Sequence, residues 1–154
     1  MLYNTLLCLH ILAAIVWVGG MVLMHFVVRP AIVGALEPPQ RLPLMTRILG
    51  DFFAWVSWAV ALMLATGVAM LHSLAAGGAK LPIHLHLMAG IGVLMALVFV
   101  WIRLHEFPAL RAAVAASTWP VGGAVLLRIR RLVSLNLVLG VLTVVVATLG
   151  RALV

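Results

Sequence analysis

The chain has 154 residues, 66% of them hydrophobic and only 8% charged, with a formal net charge of +7. A soluble domain is about half apolar and a quarter charged, so this composition cannot cover a water-facing surface and excludes a soluble enzyme or soluble binding module. The cations gather at the edges of apolar runs, where arginine sets membrane orientation, and they do not point to nucleic acid as a partner.

A membrane-spanning helix needs about 20 mostly apolar residues. The first candidate covers residues 2–28 and is stopped by Arg29-Pro30. It lacks a basic leader and is too long for the apolar core of a signal peptide, so it reads as a retained span. Cys8 within it reads as a small buried hydrophobe. Residues 30–43 hold Pro30, Pro38, Pro39 and Pro43 and read as a loop. The second span covers 49–74, the third 83–104 and the fourth 132–149. Between the last two, residues 109–116 read as a short surface helix. The expectation is one all-α integral membrane domain over 1–154, an up-down four-helix bundle with spans one and three as diagonal partners.

Arginine distribution sets the expected orientation. Eight arginines (Arg29, Arg41, Arg47, Arg103, Arg111, Arg128, Arg130, Arg131) flank the first and third connections, against Lys80 and Arg151 on the other side. That bias places both termini away from the cytoplasm, in the periplasm of a bacterial inner membrane. It also sorts the six histidines. His10, His72, His84 and His86 fall in the outer half, and His25 and His105 in the inner half.

An imidazole inside a membrane is a functional-site candidate by default. His10 and His25 are 15 residues apart, roughly 22 Å along the axis and about 60° apart in rotation. Such spacing suits two stacked sites. Small residues follow both His10 (Ala13, Ala14, Gly19, Gly20) and His86 (Ala89, Gly90, Gly92), where a porphyrin could fit or backbones could simply pack. The leading expectation is haem b with His10 and His86 as axial ligands and His25 serving a second site. Trp17, on the face of His10, would border the cofactor, and Arg131 in the Arg128/Arg130/Arg131 cluster would meet its propionates. The chain would then carry electrons between a membrane donor such as quinone and a periplasmic copper or redox protein.

A second constellation suits copper. Met70 precedes His72, and His84, His86 and Met88 open span three. Imidazole with thioether favours Cu(I), and His84 and Met88 share a helical face. The alternative expectation is therefore copper bound by His10, His84, His86 and Met88, with His25 as a further metal ligand. Asp51, one turn after Arg47, is expected in an interfacial ion pair with Arg128 or Arg131, and Asn136 in a hydrogen bond across helices. There is no nucleophile elbow, HExxH motif or phosphate loop.

The stretch from Leu9-His10 through Trp17 and Gly19-Gly20 to Met21, closed by Arg29-Pro30, resembles the first span of the copper-resistance protein D family. The stretch Arg130-Arg131 through Asn136 to Gly140 is similar to its last helix. The resemblance implies a four-span unit that handles copper across the inner membrane, surrounded by lipid. It also implies kinship with the membrane-bound, flavin-free protoporphyrinogen oxidase, a haem b protein with a first-span histidine and a third-span lysine. His10 matches that histidine, while His86 stands where the lysine would be.

Overall fold

The computed structural model describes residues 1–78 and 82–150. Lys80 and Arg151, the two cations expected beside the termini, lie outside the described residues. Among the described residues, four helices are long and apolar enough to cross a membrane: α1 (Leu2–Ala35), α2 (Pro38–Ala76), α3 (Ile83–Ala115) and α4 (Trp119–Leu149). The described residues contain no strand. The all-helical, four-span expectation therefore holds.

The helices outrun the expected spans because proline does not stop them. A proline within a helix loses one hydrogen bond and crowds the carbonyl four residues earlier. Just before Pro30 the backbone widens into a π-turn at Met24–Val28, and just before Pro108 into another at Ile102–Glu106. The wider turn accommodates the ring, and the helix continues. Arg29-Pro30 thus sits inside α1, and the expected surface helix at 109–116 is the end of α3, which stops at Ala115, rather than a separate element. The proline-rich connection is also mostly helix. Pro38 and Pro39 lie in the first turn of α2, where backbone N–H groups have no intrahelical partner to lose. Leu36 and Glu37 alone join α1 to α2.

α1 packs along α2, and α3 along α4. The α3–α4 connection closes on Thr118, whose backbone N–H and Oγ1 both donate to the Ala113 carbonyl, at 2.9 and 3.0 Å. That closure holds Ser117 at φ +53°. The two helical pairs meet at the aromatic centre of the bundle. Phe53 of α2 stands edge-on to Phe99 and Phe107 of α3, with centroids 5.9 and 5.3 Å apart. Trp17 of α1 reaches across to Phe99 at 6.2 Å and is 2% exposed. Trp17 is therefore part of the packed core.

Close approach of α1 and α4 depends on Gly140. A Cβ there would lie 2.9 Å from Val18 Cγ2, and Val is stiff at χ1. Nearby, Asn136 Nδ2 donates to the Met95 carbonyl at 3.0 Å, the cross-helix bond expected of an intramembrane amide. Cys8 differs from expectation. It is exposed, because α1 turns it to the outer surface while Ala13, Trp17 and Met21 face inward. In an apolar chain, hydrophobicity does not distinguish a lipid-facing position from a buried one.

Candidate functional site

The bundle has two chemically different ends. Met1, Gly78, Pro82 and Gly150 mark the terminal end, and the arginines of the first and third connections mark the other. His10 lies towards the terminal end, half-buried against α2. Its Nδ1 is 2.9 Å from Thr66 Oγ1, and Thr66 is 3% exposed. The Thr66 hydroxyl already donates to the Leu62 carbonyl at 2.7 Å. Its proton is committed, so the His10 Nδ1–H donates to Oγ1. That tautomer leaves Nε2 with its lone pair free, the state in which a histidine binds a metal. Thr66 is a positioning residue that sequence reasoning missed. Its only sequence signal is a hydroxyl inside an apolar run, and such residues commonly bond back to their own helix.

At the start of α3 the two histidines part company. His84 is half-buried, and its Nδ1 is buried with no hydrogen-bond partner among the described residues. It packs against α4, where a Cβ on Gly150 would come within 2.7 Å of the His84 Cβ. Met88, one turn on, is also half-buried. His86 is exposed, its Nδ1 3.3 Å from the Pro82 carbonyl of its own helix. Two helical steps turn it about 200° from His84. An internal bis-histidine haem between α1 and α3 needs both imidazoles turned inward. His86 is turned outward, so the His10–His86 pair does not fit that arrangement.

The two histidines nearer the arginine end also separate. His25 is half-buried, edge-on to Phe26, with Nδ1 3.4 Å from Ser134 Oγ of α4. His10 faces α2, whereas His25 faces α4; the π-turn at Ile15–Gly19 lies between them and shifts the phase of the helix. His105 is exposed and stacked on Trp101 at 4.1 Å, and His72 is exposed. Among the described residues, no three His, Cys, Asp or Glu side chains converge as a metal site.

The polar pairs differ from expectation as well. Arg128 pairs with Glu106 of α3 at 2.9 Å, not with Asp51, which is exposed alongside Trp55 and Trp58. α3 lies against α4 at this level, and Asp51 is on the outward face of α2. Arg131 is exposed, while Arg130 lines a cleft of about 350 Å³ with Arg29 and Arg41. Both arginines are exposed, but adjacent residues on a helix point about 100° apart, so only Arg130 borders the cleft.

No curated protein and no solved structure matches the chain. The model of the copper resistance protein D family matches residues 46–149, which take in most of α2 and all of α3 and α4 with His84, His86 and Met88. The match favours copper over haem, and the stretch from His10 to Gly20 lies before it. With two thirds of its length matched, this multi-pass membrane chain belongs to the copper resistance protein D family.

Proposed function

We propose that this protein handles Cu(I) at the terminal end of its bundle. His84 and Met88 form the core of the site, and His10 is a further imidazole ligand brought from α1. The observation that carries the reading is the buried Nδ1 of His84, without a hydrogen-bond partner among the described residues, with a thioether one turn away, in a chain of this family. An unpaired buried nitrogen is costly. A soft metal ion bound there removes that cost, and imidazole with thioether selects Cu(I). The arginine bias supports periplasmic termini in a bacterial inner membrane. The copper would then be received from, or passed to, a periplasmic copper protein.

The test is copper retention by purified protein under reducing conditions, measured by elemental analysis. One copper per chain is expected, reduced at least tenfold in affinity by His84→Ala and little changed by His86→Ala. Equal loss in both variants, or retention unaffected by His84→Ala, would overturn the assignment. The absorption spectrum of the same sample separates copper from haem. A Soret band accompanied by extractable haem would restore the haem reading.

A further inference from the structure

Arg29 of α1, Arg41 of α2 and Arg130 of α4 converge on one cleft at the arginine end of the bundle. Arg29 stands within electrostatic reach of both others. Like charges gathered from three helices repel one another. The sole ion pair among the described residues is Arg128–Glu106, which does not border this cleft. The cleft measures about 350 Å³. Past the arginines it adjoins a narrow, mainly apolar slot of about 40 Å³ between Met24, Leu49 and Ile129, with His25 at its side. A cationic mouth thus opens onto an apolar interior at the ends of the membrane-crossing helices, the level at which lipid headgroups meet hydrocarbon.

We propose that this cleft is a binding site for an anionic phospholipid. Its phosphate lies among Arg29, Arg41 and Arg130, and the start of an acyl chain lies along Met24, Leu49 and Ile129. Guanidinium forks match phosphate oxygens in shape and charge. A free phosphate satisfies the arginines but leaves the slot unfilled, whereas a zwitterionic lipid fills the slot but brings its own cation to the mouth. An anionic phospholipid complements both parts.

The experiment uses delipidated full-length protein in neutral detergent, with bound ligand counted by native mass spectrometry. It is titrated separately with phosphatidylglycerol, phosphatidylcholine and inorganic phosphate. Phosphatidylglycerol is expected to bind roughly tenfold more tightly than phosphatidylcholine, and excess inorganic phosphate should fail to displace it. Arg29→Gln with Arg130→Gln should weaken phosphatidylglycerol about thirtyfold, near fivefold per guanidinium. Arg131→Gln, adjacent in sequence but outside the cleft, should leave binding within about twofold. Equal binding of the two lipids, full displacement by phosphate, or an Arg131→Gln loss matching the double variant would overturn the proposal. The three-ligand comparison needs only wild-type protein, so it decides the question even if the double variant does not fold.

Discussion

His10 Nδ1 and Thr66 Oγ1 lie 2.9 Å apart, joining α1 to α2. The threonine hydroxyl donates to its own helix and accepts from the imidazole, so one buried oxygen fixes both the ring orientation and the tautomer of His10.

Removing that oxygen should disturb metal binding more than the fold. Thr66→Val is expected to lower Cu(I) affinity about 10-fold to 100-fold, the usual range for losing a group that orients a histidine ligand, while Thr66→Ser retains it. Competition against a chromogenic Cu(I) chelator measures both. Equal affinity in Thr66→Val and wild type would remove His10 from the site.

Met88→Leu conserves volume, so its packing penalty should stay below about 1.5 kcal/mol. Loss of the thioether should nevertheless weaken Cu(I) binding while leaving the protein folded. Thermal unfolding and Cu(I) competition on one preparation separate the two effects. A variant that binds Cu(I) like wild type would show that Met88 only fills space.

Gly19 and Gly20 are neighbours with opposite expected tolerance. A Cβ at Gly20 would stand 2.6 Å from Phe52 Cε2, whereas at Gly19 nothing lies within 4 Å. Gly20→Ala must displace the Phe52 ring and should destabilise by about 1–3 kcal/mol. Gly19→Ala should be neutral, or stabilise by up to about 1 kcal/mol through helix propensity. Unfolding of the two variants in detergent checks the contrast.

Asn136 is 2% exposed and bonds through Nδ2 to the Met95 carbonyl, while its Oδ1 has no partner among the described residues. Asn136→Leu loses one bond but also removes an orphaned acceptor. The expected cost is therefore modest, about 0.5–1.5 kcal/mol. Asn136→Asp should be far worse, because it places a buried charge opposite a carbonyl oxygen. Comparative unfolding of the two variants tests whether hydrogen bonding or shape is what α4 requires.

The sequence by itself determined the helical class, the four spans and the family. Those follow from the lengths of apolar runs and from local motifs, and a bilayer leaves few other structures for such runs. It also placed a cross-helix bond on Asn136, since an amide in hydrocarbon must find a partner. Three things were decided only by tertiary structure. The first is where helices end, because π-turns let Pro30 and Pro108 remain inside helices that a reading of proline as a breaker would stop. The second is which member of each close pair meets the rest of the bundle: His84 rather than His86 is half-buried, and Arg130 rather than Arg131 borders the cleft. In soluble proteins the polar face of a helix announces itself, but here lipid-facing and core-facing positions are equally apolar, so only packing against neighbouring helices sets the rotation. The third is partnership. Thr66 with His10, Glu106 with Arg128, and the meeting of Arg29, Arg41 and Arg130 all join residues far apart in the chain. No local pattern encodes them, because they arise from how the separate helices are set beside one another.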